Sequence, residues 1–240
     1  MTGPVERFRA LHRPGDPLIL PNVWDVLSAR LVASLGAAAI ATTSAGVAWS
    51  RGFRDGGHLP LELLAESTGR IAEAVTVPLT IDIEGGYGRV AETVRAVEDS
   101  GAVGVNIEDG GDLGAGVRRI AEARRVSSMF LNARIDGEGR DHDMVARAKA
   151  YLDAGADGVF PIGAGPDAVA ELLAAVGAPV NVLAGPADWT ALGVSRISAG
   201  PGLARAAYTT AHDVARDLLA TGRITADPAL TYGYLNASAG

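Results

Sequence analysis

Eight short apolar runs, separated by stretches of helical periodicity, constrain this chain more than any other feature. They are residues 17–21 (PLILP), 38–43 (AAIATT), 79–84 (LTIDIE), 103–108 (VGVNIE), 129–134 (MFLNAR), 157–161 (DGVFP), 179–183 (PVNVL) and 195–199 (SRISA). Between them lie helical patterns such as VWDVLSARLVASLG, LPLELLAESTGRIAEAV and ETVRAVEDSG. Even-numbered runs follow a glycine, with Gly36, Gly101, Gly155 and Gly193 placed to end the preceding helix as left-handed caps. Three of the four odd-numbered runs are entered through proline instead (DPLIL, VPLTI, APVNV). This two-unit rhythm predicts a closed (β/α)8 barrel, an α/β fold, as one domain over residues 1–240. A doubly wound open sheet is the alternative.

Composition removes several chemistries. The chain has no cysteine, which excludes disulfides, thiolate catalysis and cysteine-bound zinc. Its one lysine, Lys149, sits in the helical pattern DMVARAKAYLDAG, which argues against Schiff-base catalysis. A net charge of −7 with interspersed signs disfavours nucleic acid as a partner. His12, His58, His142 and His212 lack metal-ligand spacing and read as packing or surface residues. No apolar run approaches the roughly 20 residues that span a bilayer. The N-terminus MTGPVERFRALHRPGDP lacks a signal-peptide core, so the cytoplasm, with no membrane partner, is expected.

In such a barrel the chemistry lies at the C-terminal ends of the strands. Three consecutive runs end with polar residues two apart: Asp82 and Glu84, Asn106 and Glu108, Asn132 and Arg134. Positions two apart share a face of a strand, so these side chains would converge on one mouth. Three carboxylates against one guanidinium leave uncompensated charge, and an all-oxygen set favours a hard cation, Mg2+ or Mn2+. The bland alternative is that these acids cap helices or pair with arginines at the rim. Gly85, Gly86 and Gly88 either form a simple turn or keep bulk away from the cation. Ser44 with the amides of Ala45 and Gly46 could cradle a carboxylate, and Asp55 is a loop acid.

Taken together, LPNVWDVLSARL, TTSAGVAWSRGFRD, DIEGGYG, VGVNIED, NARID and YLDAGADGVF resemble the isocitrate lyase/phosphoenolpyruvate mutase superfamily, from about residue 18 to residue 205. The resemblance implies a (β/α)8 barrel, Mg2+ catalysis on 2-oxo or 2-hydroxy acids, and dimers or tetramers whose subunits exchange C-terminal helices. It gives Asp82 the role of direct metal ligand, and Glu84 and Glu108 those of acids holding metal-bound water. Arg134 resembles the carboxylate clamp, Ser44, Ala45 and Gly46 the cradle, and Asp55 the acid near the metal's water shell. Trp24 and Asn132 complete the implied substrate-binding set.

The chain also departs from the family pattern. The lyases carry K-[KR]-C-G-H after the IED strand, and the mutases a lysine there; this chain has EDGGDLGAGVRRI. Thr42 stands where lyases of 2-hydroxy acids have a tyrosine. Three functions stay open: a Mg2+-dependent carbon–carbon lyase or decarboxylase; phosphoenolpyruvate mutase or phosphonopyruvate hydrolase chemistry, with Arg118 or Arg119 replacing the lysine; and a catalytically weak barrel that binds a 2-oxo acid. The tail AGPGLARAAYTTAHDVARDLLATGRI reads as one long final helix with an apolar stripe.

Overall fold

A computed structural model describes residues 3–137, 141–226 and 229–240. The strands are β1 (Leu18–Leu20), β2 (Asn22–Val23), β3 (Ile40–Thr42), β4 (Leu79–Asp82), β5 (Gly104–Glu108), β6 (Phe130–Ile135), β7 (Gly158–Pro161), β8 (Asn181–Leu183) and β9 (Arg196–Ser198). The helices are α1 (Pro4–Ala10), α2 (Val26–Ser34), α3 (Ser44–Ser50), α4 (Leu61–Ala74), α5 (Val90–Asp99), α6 (Leu113–Val126), α7 (Asp141–Asp153), α8 (Pro166–Ala175), α9 (Trp189–Leu192), α10 (Gly202–Thr221) and α11 (Tyr232–Ala239).

All eight expected runs form strands, and every pairing between the named strands is parallel. The first run is split at Pro21, which has no amide hydrogen to continue a ladder. Before the break β1 pairs with β9; after it β2 pairs with β3. The order β2-β3-β4-β5-β6-β7 then meets β8-β9-β1 through the bridge of Val159 to Val180. The sheet is therefore closed as a (β/α)8-type barrel, and the open alternative is set aside. Gly36, Gly101, Gly155 and Gly193 all take positive φ, as helix-ending residues do.

Alternation along the strands divides the interior. Ile40, Leu79, Ile81, Val105, Ile107, Leu131 and Val159 face outward into the large core shared with the helices. Leu18, Leu20, Ala41 and Phe130 face inward and pack on Phe8 of α1. The short N-terminal helix thus stoppers the bottom of the barrel. Above this apolar plug the inward positions turn polar, through Thr80, Asn106, Asn132, Asn181 and Arg196, all buried.

His12 belongs to the plug. Its Nδ1 donates to the Phe8 carbonyl at 2.9 Å and its ring stacks on Phe130 at 4.1 Å. Burial and the nearby Arg196 push its pKa down to about 3, against 6.5 for the free residue. The unfolded chain therefore takes up a proton below about pH 6.5 that the folded chain refuses. Stability from this group is full above that pH and declines as the pH falls toward 3. His12→Gln should flatten the decline, and the gap between the two proteins in urea denaturation should change by roughly 2–4 kcal/mol from pH 7 to pH 4. Parallel curves would contradict this.

The tail differs from expectation. Helix α10 forms as one long helix, but it is not the last. A further helix, α11, lies on α2 of the same chain, where Arg30 Nη1 donates to the Ser238 carbonyl at 3.3 Å. Thr231 caps α11 by accepting from the Tyr234 amide at 3.2 Å, a local signal that a polar composition conceals. Leu219, Ile224 and Tyr232 stay exposed on this end of the chain.

Candidate active site

A cavity of about 190 Å³ opens at the C-terminal ends of the strands. Asn22, Thr42, Ser44, Ala45, Asp55 and Asp82 line it, together with Asn106, Arg134, Arg196 and Ser198. Phe160, Ile162, Leu183 and Pro201 supply the apolar wall. Of the expected site residues, Ser44, Ala45, Asp55, Asp82 and Arg134 reach this lining.

Asp82 ends β4 and is held by its neighbours on both sides. Its backbone amide donates to Thr42 Oγ1 at 3.0 Å. Its carboxylate accepts from the Glu84 amide at 3.2 Å and the Ser44 amide at 3.5 Å. Thr42, at the position of the family's tyrosine, therefore orients the acid. Desolvation raises the Asp82 pKa, against the pull of Arg134.

Glu84 corrects the two-residue argument. β4 stops at Asp82, and Glu84 takes φ 49°, outside the strand region. It is buried beside the cavity instead of lining it, accepting from Tyr87 Oη at 2.8 Å. Tyr87, which sequence reasoning passed over, is thus the group that orients Glu84. Burial, with Asp55 and Asp82 nearby, raises the Glu84 pKa.

Of the two forms expected for the glycine loop, the structure shows the turn. Gly86 donates to the Ile83 carbonyl at 2.8 Å and takes φ 80°, forming a tight turn. Gly85 gives room to an arginine: a Cβ there would stand 3.1 Å from the Arg119 guanidinium carbon. That guanidinium donates to the Glu108 carbonyl at 2.7 Å. The missing side chain at position 85 accommodates Arg119, which pins the end of β5.

Glu108 and Arg134 are register partners on β5 and β6 and form an ion pair. Arg134 Nε also donates to Asp136 Oδ1 at 2.6 Å, so its charge is shared between two acids. These neighbours hold the Arg134 pKa above its usual value. Glu108 is pushed up to about 8, first by desolvation and then by Asp82. Asp136 was missed; only its spacing of two from Arg134 in NARID could have signalled it.

The remaining expected residues sit behind the lining. Asn132 donates to Asn106 Oδ1 at 2.6 Å and so positions the asparagine that does face the cavity. Gly46 is wedged among its neighbours; a Cβ would meet Thr43 at 2.7 Å and Trp24 at 2.9 Å. Trp24 packs against Tyr208 of α10, with ring centroids 6.4 Å apart. Position-by-position likeness does not separate a residue that touches a ligand from one that supports it.

The segment after β5 is short, because α6 begins at Leu113, capped by Asp112. Asp109 anchors it: its carboxylate accepts from Arg147 Nη1 at 2.8 Å, Tyr151 Oη at 2.6 Å and the Asp136 amide at 2.9 Å. Neither Arg118 nor Arg119 lines the cavity.

Among the described residues, no three acidic or imidazole side chains stand close enough to enclose a metal directly. Yet burial raises the pKa of Asp82, Glu84 and Glu108 alike, and Asp82 raises that of the two glutamates further, around an arginine already engaged twice. This charge excess fits a hard divalent ion held by one carboxylate and, through water, by the others, as Mg2+ commonly is.

A family model described as phosphoenolpyruvate phosphomutase matches residues 8–219. The chain belongs to this family. An uncharacterized protein of Mycobacterium tuberculosis is 38% identical to it over 215 residues, covering 80% of this chain and 81% of that one. The 2-methylisocitrate lyase of Bacillus subtilis is 30% identical over 176 residues, covering 65% of this chain. That match spans 58% of the lyase, less than two thirds of its length. The crystal structure of an oxaloacetate acetylhydrolase superposes with a TM-score of 0.89 at 25% identity, covering 99% of this chain and 94% of that one. Lyase and mutase chemistry is thus the repertoire of the phosphomutase family to which the chain belongs. Among the described residues, no helix is long and apolar enough to cross a membrane.

Proposed function

We propose that this protein is a Mg2+-dependent carbon–carbon lyase or decarboxylase acting on a small 2-oxo or 2-hydroxy dicarboxylate. The observation that carries the reading is the meeting of Asp82, Arg134 and Ser44 on one cavity of about 190 Å³, suited to a small acid. Asp82 would hold the ion directly, and Glu84 and Glu108 its water; Mn2+ is the other hard ion of this class. When bound, the ion supplies Lewis acidity toward the 2-oxygen of the acid.

The chain's own residues supply the rest. Arg134, fixed by Glu108 and Asp136, orients the C1 carboxylate. The Ser44 hydroxyl and the Ala45 amide receive its oxygens. Asp55, at the rim, is the carboxylate placed to move a proton between substrate and solvent. Decarboxylation asks least of this set: loss of CO2 from oxaloacetate needs no base, and a proton then returns to carbon. The phosphoryl alternative loses the two cations expected to replace the family's lysine, because Arg118 and Arg119 lie away from the cavity and phosphoryl transfer needs cations around the moving group.

Purified protein should release pyruvate or glyoxylate from at least one of oxaloacetate, a methylmalate-type acid and a methylisocitrate-type acid, and only with Mg2+ present. Failure with all three would retire the reading. The ion itself has a second readout. Protons compete with it for carboxylates held at raised pKa, so affinity should grow as the pH rises. Millimolar Mg2+ should raise the melting temperature by several degrees at pH 8 and hardly at all at pH 5. An equal shift at both values would count against these ligands.

A further inference from the structure

Arg196 is the charged residue of the cavity that none of these roles uses. It enters the barrel on β9, in register with Leu18 on one side and Asn181 on the other. It is only 2% exposed, yet it lines the cavity. Its Nε donates to Ser198 Oγ at 3.0 Å, and Ser198 Oγ donates in turn to Asn181 Oδ1 at 3.0 Å. This relay fixes the plane of the guanidinium.

The other donors of this corner lack acceptors. Among the described residues, Arg196 Nη1 and Asn181 Nδ2 are buried without a hydrogen-bond partner, and the same holds for Thr80 Oγ1 on the cavity wall. Asp82 is the acid that acts on Arg196 through space, and among the described residues Arg196 forms no ion pair. His12, below it, is neutral above about pH 3. Arginine stays protonated at neutral pH even though burial draws it down to about 9 here. A buried guanidinium without a counter-ion is strongly unfavourable, and a carboxylate matches its fork of donors.

We infer that Arg196, with Thr80, forms a second carboxylate subsite that takes the distal carboxylate of a dicarboxylate ligand, Asn181 steadying Arg196 through Ser198. The inference rests on the small-acid reading of the cavity and adds its specificity. Arg134 is neutralised by Glu108 and Asp136, so Arg196 carries the unmatched positive charge. A monocarboxylate leaves that charge unpaired, and a site built around such a donor discriminates against ligands that cannot reach it.

Calorimetry on the full chain with Mg2+ tests this with three probes: oxalate, lactate and malate. Lactate and malate share a 2-hydroxy acid and differ in the second carboxylate. Wild-type protein should bind malate at least about tenfold tighter than lactate. Arg196→Met should bring that ratio close to one while leaving oxalate affinity within about twofold, and Arg196→Lys should keep part of the preference. A wild-type ratio near one, with oxalate bound, overturns the subsite, as does an unchanged ratio in Arg196→Met. Parallel loss of oxalate and malate in that variant also overturns it, by marking a structural role. Should Arg196→Met not fold, the wild-type ratio and Arg196→Lys decide. Failure of oxalate to bind the wild type overturns instead the small-acid reading beneath the inference.

Discussion

Arg147→Met is expected to destabilise the protein by about 3–5 kcal/mol, measured by urea denaturation at neutral pH. Arg147 is 3% exposed and donates to Asp109, to Asp143 at 2.8 Å and to the Gly111 carbonyl at 3.0 Å. Removing it strands Asp109, which is 2% exposed, as a buried carboxylate. Tyr151 and two amides would still donate to Asp109, but they bring no full charge. The double variant Arg147→Met/Asp109→Asn should recover part of the loss, since it removes the stranded charge. A loss below about 1 kcal/mol in the single variant would mean that the pair is not a structural anchor. The damage should also reach the cavity, because the Asp109 carboxylate accepts from the Asp136 amide and Asp136 steadies Arg134.

Arg134→Met should lower turnover of the substrate found by screening by about 10²–10³-fold, the usual cost of removing one preorganised charge from a site. Glu108 and Asp136 would lose their shared cation, and Glu108 would be driven still further toward its neutral form. Arg134→Lys is expected to recover little, since a point charge cannot satisfy two acids and a substrate carboxylate as a planar fork can. Circular dichroism on both variants would establish that the barrel persists. Near-wild-type turnover in either would remove Arg134 from the site.

The relation of sequence to structure differs between the strands and the site. The runs from PLILP to SRISA carried their periods and their glycine stops openly, because strand burial and helix termination are local demands on residue type. The same runs carried Asp82 and Arg134 to the mouth, since alternation along a strand is also local. Glu84 was misplaced by that argument, because φ at a single residue after the strand decides which way its side chain turns. Gly85 was left between a turn and room for a cation, and the space beside it is filled by Arg119, 34 residues later in the chain. Asn132, Gly46 and Trp24 sit one shell back from the cavity.

Arg196 sharpens the contrast. In SRISA it is one arginine among 20, at the start of an apolar run. Its role depends on three relations that no linear pattern expresses: contact with Ser198, reach to the cavity, and the lack of an ion pair with any acid among the described residues. The amino-acid sequence by itself determined the barrel, the family and the arrival of Asp82 and Arg134 at its mouth, because hydrophobic period, caps and short motifs are written in consecutive residues. Only the tertiary structure decided which acids are already neutralised and which cation is not. Charge balance in a buried site is set by through-space neighbours drawn from all around the barrel.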